Sequence, residues 1–139
     1  MADRQRLNQT INNFFAAMNA HDVEKMAALC SPEVVAFEVA ETEPFRGLAA
    51  FKRSYQEVFE GYPDCTAEIL ERYIDGDNVI CQVRWRATNT GTFRGAPASG
   101  KPVDLRIAYF FKLEQDQIAQ ITEYYDLATI LVQQGQLKL

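Results

Sequence analysis

The sequence predicts an α+β fold in which a curved antiparallel sheet wraps around N-terminal helices as a cone-shaped barrel, followed by a C-terminal helix. Up to residue 64 the apolar side chains recur mostly at helical spacing, whereas from residue 67 they alternate with a period of two. A chain with its helices first and its strands later is typical of helices that cover one face of an antiparallel sheet. Because long strands that wrap around helices curve, we expect an apolar pocket between the two layers.

The helices are predicted from apolar stripes and from end signals. The first covers residues 4–20, and the third begins at Gly47 and ends within residues 61–64. Between them, Asp22 is a natural N-cap for a short helix at 23–29, which Pro32 prevents from continuing. The apolar stripe of the first helix consists of Leu7, Ile11, Phe14, Phe15 and Met18.

The strands follow from alternation and turn residues. A short strand is expected at residues 33–39, before the third helix. Four further strands fit residues 66–74, 78–93, 102–113 and 117–125. The run Asp75-Gly76-Asp77-Asn78 indicates a hairpin between the first two of these four strands. A final helix is predicted from Asp126 to Gln134, with Gly135 as its stop.

Length and charge limit the class of protein. The 139 residues fit one domain, 1–139, and the net charge of −5 comes with no basic run, so nucleic acid is not an expected partner. No apolar leader and no run of eighteen apolar residues is visible, so the sequence predicts a cytoplasmic protein with no membrane contact.

Cysteine and histidine usage limits the chemistry. The three cysteines have no C-x-x-C spacing, and His21 is the only histidine and lies in a turn. We therefore expect no metal site, and a serine or cysteine nucleophile would have no base. No glycine-rich nucleotide motif is present, so no cofactor is expected. Any chemistry is left to carboxylates and phenols.

Four segments resemble a known family. They are Phe14–Asp22, Pro44-Phe45-Arg46-Gly47, Gly91–Val103 and Tyr124–Gly135. Together they are similar to the nuclear transport factor 2-like, or ketosteroid-isomerase-like, superfamily, and the last two to its SnoaL-like polyketide cyclase branch. The resemblance covers essentially the whole chain and implies a cone of helices and curved sheet. It says less about activity, because this fold hosts isomerases, cyclases, hydrolases, dehydratases and binding domains.

Asp126 is the first candidate catalytic residue. The resemblance to SnoaL-like cyclases implies that the aspartate before the last helix moves a proton next to a carbonyl group. The same position, where the last strand gives way to a helix, is typical of an N-cap. Both roles need the same residue type, so both stay open. As a catalytic group, Asp126 is expected in the pocket with Tyr109 or Tyr124 within hydrogen-bond reach.

Glu38 is the second candidate. Counted back from Gly47, it falls where the resemblance to ketosteroid isomerases implies a catalytic carboxylate, although the residue there is aspartate. The alternation of apolar residues in this strand, in contrast, favours a Glu38 side chain that points away from the pocket. The two faces of this strand carry Val35-Phe37-Val39 and Val34-Ala36-Glu38. The first face is the more apolar, so the pattern predicts an outward, exposed Glu38.

Two tyrosines complete the candidate site. Tyr55 matches a helix tyrosine of the isomerase hydrogen-bond network, and Tyr109 stands where those enzymes carry a protonated acid in the oxyanion hole. A phenol could donate a similar hydrogen bond, but core packing explains both tyrosines as well. Phe14 occupies the position of the principal tyrosine donor, which argues against steroid isomerisation. The predicted pocket is lined by Phe14, Tyr55, Trp85, Tyr109, Phe111 and Tyr124.

The opposite sheet face carries Arg84, Arg86, Arg106 and Phe110. An aromatic ring among charges favours a homodimer interface over a solvated face. Two functions remain open. The first is a cofactor-free isomerase or cyclase that performs carboxylate acid–base chemistry next to a carbonyl of an apolar ring or polyketide-like substrate. The alternative is a non-enzymatic module for binding an apolar ligand or for dimerisation. An epoxide-hydrolase-like activity would need two pocket carboxylates bridged by arginine.

Overall fold

The computed structural model describes residues 3–139 and confirms the α+β architecture. Its elements are α1 (Arg4–Asn19), α2 (Val23–Ala28), β1 (Cys30–Glu38), β2 (Phe45–Arg46), α3 (Gly47–Gly61), β3 (Thr66–Asp75), β4 (Asn78–Thr88), β5 (Pro102–Glu114), β6 (Gln117–Tyr124) and α4 (Leu127–Gln133). The six strands form one curved sheet in the order β2-β1-β6-β5-β4-β3. Since β2 and β3 lie at opposite edges, the sheet is open rather than a closed barrel.

The sheet is mixed, whereas the sequence predicted an antiparallel one. Strands β3 to β6 form the expected antiparallel meander. Strand β1, however, pairs in parallel with β6, and the two-residue strand β2 pairs antiparallel with β1. A parallel pair needs a long crossover connection, which α3 and the strands β3 to β5 provide. Alternation identifies a strand but not the neighbour it joins, so the direction of β1 was not accessible from the pattern.

Strand β4 ends at Thr88, five residues before the predicted end, because a loop begins at Asn89. The side-chain amide of Asn89 donates to the backbone carbonyl oxygens of Gly61 and Gly91, both at 3.0 Å. A side chain at Gly91 would put its Cβ 1.9 Å from the Glu60 carbonyl oxygen, so only glycine permits this approach. These contacts hold the loop of residues 89–101 against the end of α3.

The core lies between the helices and the inner face of the sheet. In β5 every second residue from Val103 to Leu113 is buried, and β4 alternates in the same way, as the period of two predicted. Phe14 of α1 is fully buried and meets Phe111 edge-on, with ring centroids 5.2 Å apart. Within residues 3–139, none of the helices has the length and apolar character required to cross a bilayer.

Candidate functional site

A cavity of about 320 Å³ lies between α3, the inner sheet face, the loop 89–101 and α4. Its wall is mostly apolar and aromatic, and it includes Tyr62, Trp85, Phe93 and Tyr125. This volume and lining are typical of sites that hold small organic molecules. The polar groups that face the cavity are a minority of its lining, so they determine which chemistry the site can perform.

Glu123 is the most deeply placed carboxyl group of the cavity wall. It follows Ile121 by two residues on β6, so both side chains point to the inner face, and only 9% of Glu123 is exposed. The Tyr55 hydroxyl of α3 donates to Glu123 Oε1 at 2.9 Å. Tyr109 of β5 is the cross-strand partner of Glu123. Three elements therefore bring one carboxyl and two phenols together.

Burial raises the pKa of the Glu123 carboxyl to about 8, and the negative charge of Glu38 adds to the rise. Hydrogen bonds from Tyr55 and Tyr109 and the charge of Arg94 act in the opposite direction. Burial, with the nearby Glu123 charge, raises the pKa of both tyrosines well above the ordinary value. At neutral pH the phenols therefore remain O–H donors, while Glu123 can take up or release a proton.

Glu38 lines the same cavity, which corrects the prediction of an outward, exposed side chain. Val34 and Ala36, on its face of β1, are buried, whereas Phe37 is 37% exposed. Glu38 is the register partner of Glu123 across the parallel pair. Its two carboxylate oxygens accept from Arg94 Nη1 at 2.9 Å and Nη2 at 3.1 Å. This two-bond ion pair offsets the desolvation that makes a buried glutamate unfavourable.

Arg94 belongs to the loop 89–101, where it adopts a positive φ of 45°. Beyond Glu38 it donates to Glu41 at 2.8 Å and to Glu57 of α3 at 3.0 Å. The rings of Phe45 and Phe93 lie against its guanidinium, with centroids 5.2 and 4.7 Å from Cζ. One side chain thus ties the loop to β1, to the turn after it and to α3.

Asp126 lies outside the lining of this cavity, contrary to the position expected of a catalytic group. It is the N-cap of α4: its carboxylate accepts from the Ala128 amide at 3.0 Å and from Thr129 Oγ1 at 2.9 Å. The side chain is exposed and has no hydrogen bond to Tyr109 or Tyr124. The geometry of Asp126 is therefore that of a helix cap, the second of its two open roles.

The remaining predicted residues lie in three different places. Tyr55, Tyr109 and Trp85 line the cavity. Phe14 and Phe111 do not, because they pack against each other behind the wall. Tyr124 is 51% exposed on the outer sheet face, where its ring lies 5.5 Å from Phe110.

The sequence analysis missed Glu123 and Arg94. A signal existed for Glu123: it stands two residues after Ile121, so it is a charged residue on the apolar face of a strand. For Arg94 the pattern gave none, because the residue lies in a loop, outside every predicted strand and helix. Among residues 3–139, no group of three or more His, Cys, Asp or Glu side chains is arranged to hold a metal ion.

Solved structures with this fold share little sequence with the chain. A proposed SnoaL-like polyketide cyclase from Jannaschia sp. CCS1 superposes with a TM-score of 0.88 at 20% identity, covering 99% of this chain and 100% of the other. TsrD from Streptomyces laurentii gives 0.87 at 22% identity, with coverage of 99% and 100%. A protein with a ketosteroid isomerase-like fold from Catenulispora acidiphila gives 0.77 at 17%, with coverage of 92% and 93%. These identities establish the fold alone.

Comparison at the sequence level is more specific. A search of curated protein sequences finds no significant match. The model of the SnoaL-like polyketide cyclase family, in contrast, matches residues 6–134, nearly the whole chain. The matched stretch contains the cavity wall from Met18 to Gln134, including Glu38, Arg94 and Glu123. The chain therefore belongs to the SnoaL-like polyketide cyclase family.

Proposed function

We propose that the protein is a cyclase- or isomerase-type enzyme that moves a proton next to a carbonyl of an apolar ring or polyketide-like substrate, with Glu123 as the working carboxyl. The observation that supports this most is a buried carboxyl, hydrogen-bonded by Tyr55, in the wall of an aromatic cavity. Perturbed carboxyls in such cavities are typical of acid–base sites. Family membership supports a cyclase- or isomerase-type ligand-binding protein.

The proposed chemistry uses groups of this chain. The Glu123 carboxylate takes a proton from the carbon next to the carbonyl; the C–H electron pair moves toward the carbonyl oxygen and forms an enolate. The Tyr109 hydroxyl, kept protonated by its raised pKa, donates a hydrogen bond to that oxygen. The enolate then takes the proton back at another carbon, as in isomerisation. Alternatively its carbon attacks a second carbonyl, and the alkoxide formed there takes the proton from the Glu123 carboxyl, as in ring closure.

Exchange of the transferred proton tests this proposal directly. An apolar ring ketone such as 2-tetralone is incubated with the protein in D₂O, and loss of the α-proton signal is followed by NMR. We expect protein-dependent exchange that rises as the pH passes about 8, because only the carboxylate form of Glu123 accepts a proton. Exchange at the rate of buffer alone, across this pH range and for several ring ketones, would contradict the enzymatic function.

The alternative, a binding module without chemistry, is favoured by one observation. The Tyr55 hydroxyl already donates to Glu123, so the carboxyl has an internal partner and needs no substrate to be satisfied. Binding of 2-tetralone without α-proton exchange would support this alternative.

We further propose that the protein forms a homodimer through the outer sheet face. Phe110 is 42% exposed there beside the exposed ring of Tyr124, and Arg84 forms an ion pair with Asp104 at 2.8 Å on the same face. An exposed aromatic pair with a polar surround fits an interface, which commonly buries on the order of 800 Å² per partner. Analytical ultracentrifugation should show a dimer of the wild-type protein and a monomer of the variant Phe110→Glu. A wild-type protein that is still monomeric at 100 μM, about a hundred times a micromolar Kd, would overturn the proposal.

A further inference from the structure

One part of the cavity wall holds an excess of negative charge. Glu38 and Glu41 line the cavity, and Glu57 of α3 joins them around Arg94. We call these three glutamates and Arg94 the acidic cluster. The cluster consists of three carboxylates and one guanidinium, so its formal charge is −2.

Arg94 has no hydrogen-bond donor left for a ligand. A guanidinium offers five N–H groups. Nε donates to Glu57, Nη1 to Glu38 and Glu41, and Nη2 to Glu38 and to the Ser54 carbonyl oxygen at 3.4 Å. Five bonds thus match five donors. Two aromatic rings also lie against the guanidinium, which leaves an incoming carboxylate little access to it.

Outside the cavity lining, Arg53 forms a longer ion pair with Glu57, at 3.9 Å. The described residues that line the cavity include no second arginine, no lysine and no histidine, so Glu38 and Glu41 meet no cation there other than Arg94. The rest of the wall is mostly apolar or aromatic, and its other polar groups are Glu123 and the uncharged amides of Asn89, Gln134 and Gln136. Aromatic faces attract cations and not anions. A ligand anion would lose its hydration on entering and would meet like charge in a poorly screened setting.

We propose that the acidic cluster makes the cavity selective by charge, so that it takes uncharged or cationic ring compounds and rejects those that carry a carboxylate or another anionic group. This inference rests on the proposed function only in taking the cavity as the ligand site. It requires no turnover, so a binding measurement tests it separately from the chemistry. In this proposal Arg94 holds the loop 89–101 in place and partly neutralises the three glutamates, and it does not bind a carboxylate of the substrate.

Three probes with the same ring system isolate the charge. They are 2-acetylnaphthalene (uncharged), 2-naphthylmethylammonium (cationic) and 2-naphthoate (anionic). Trp85 is the single tryptophan and lines the cavity, so its fluorescence reports binding. At pH 7 we expect 2-naphthoate to bind at least about tenfold more weakly than the other two, as like-charge contact disfavours a partner. Equal affinity for the anion and the ketone would overturn the proposal, and binding of none of the three would overturn it together with the ligand-site assignment.

The variant Glu41→Gln assigns the effect to the cluster. Glutamine keeps an oxygen acceptor for Arg94 Nη1 but removes one negative charge at a partly exposed position. We expect the preference against 2-naphthoate to shrink several-fold, because the affinity for 2-naphthoate should rise more than the affinity for 2-acetylnaphthalene changes. Glu57→Gln should act in the same direction and serves as a second variant, and Glu114→Gln, an exposed glutamate at the far end of β5, is the matched control. An unchanged preference in both cluster variants, or an equal change in Glu114→Gln, would show that the cluster does not select the ligand.

Discussion

Two carboxyl groups lie three residues apart where β6 ends and α4 begins, and their surroundings are opposite. Glu123 is the last inward-facing residue of β6, buried beneath the cavity and bonded to Tyr55. Asp126 stands just past the strand, exposed, and accepts from the backbone of Ala128. Glu123 has a raised pKa because burial penalises its charge. Asp126 meets the N–H groups at a helix N-terminus, which favour the anion.

The difference shows that the kind of element decides what a carboxyl can do. A strand residue is oriented by the pleat, so an inward position buries its side chain whatever its polarity. A residue before a helix is oriented by the free N–H groups of the first turn, which bind its oxygens in competition with any substrate. Of the two groups, only Glu123 lines the cavity, and its raised pKa of about 8 lets it exchange a proton near neutral pH.

The largest expected effect is on proton exchange. Glu123→Gln should lower the α-proton exchange rate of 2-tetralone about 100-fold or more, the usual contribution of a general acid–base group. Asp126→Asn is the matched control and should stay within about threefold of wild type, because asparagine caps a helix about as well as aspartate. A large loss in Asp126→Asn with normal exchange in Glu123→Gln would reverse the assignment and restore the role that the family resemblance implied.

The next effect is on stability as a function of pH. The Glu123 carboxyl has a pKa of about 8 in the folded protein, against an ordinary pKa of 4.5, so the unfolded chain loses this proton first as the pH rises. The free energy of unfolding should therefore fall between pH 4.5 and 8 by an amount on the order of a few kcal/mol.

In Glu123→Gln this contribution is absent, and the variant should gain stability relative to wild type as the pH rises from 5 to 8.5. Urea denaturation at the two pH values measures the difference. Asp126→Asn leaves Glu123 in place, so its free energy of unfolding should still fall over this pH range. Parallel curves for wild type and Glu123→Gln would contradict the raised pKa.

The fold could be predicted from the sequence because period and end signals are local properties. The apolar stripes of α1 and α3 and the alternation of β4 and β5 depend on neighbours a few residues away. The parallel pairing of β1 with β6 was not accessible, since it joins segments at opposite ends of the chain. The end of β4 at Asn89 could not be predicted for a similar reason. It depends on the hydrogen bond from the Asn89 side chain to Gly61 of α3, which lies 28 residues earlier in the chain.

The site was predictable in part. Tyr55, Tyr109 and Trp85 lie in the cavity wall, on the inner faces of α3, β5 and β4 that the periodicity indicates. Glu38 was oriented wrongly because alternation weighs apolarity, whereas its position depends on Arg94, a partner 56 residues away. Glu123 was passed over in favour of Asp126 because the resemblance pointed to an aspartate, although alternation in β6 marks Glu123.

A smaller effect is expected from the hydrogen bond that supports Glu123. Tyr55→Phe removes the hydroxyl that lowers the pKa of this carboxyl, so its pKa should move further above 8. The pH profile of α-proton exchange should shift to higher pH, with the rate at its plateau little changed. Phe59→Leu, which alters an apolar part of the same wall, controls for repacking and should leave the profile in place. A lower plateau at an unshifted pH would show instead that Tyr55 acts directly on the substrate.

The smallest effect concerns the cap itself. Asp126→Ala removes the acceptor for the Ala128 amide, a loss that usually costs about 1 kcal/mol of helix stability, whereas Asp126→Asn should cost only a few tenths. Because α4 has no fully buried residue, we expect the loss to appear as local fraying rather than global unfolding. Faster hydrogen exchange at the α4 amides in the alanine variant would measure this fraying.

The fraying should also affect binding. Leu127 and Ile130 of α4 line the cavity, so affinity for 2-acetylnaphthalene should fall slightly in Asp126→Ala and not in Asp126→Asn. If both variants weaken binding equally while α4 exchange stays at the wild-type rate, the carboxylate acts on the ligand through its charge and not through the helix.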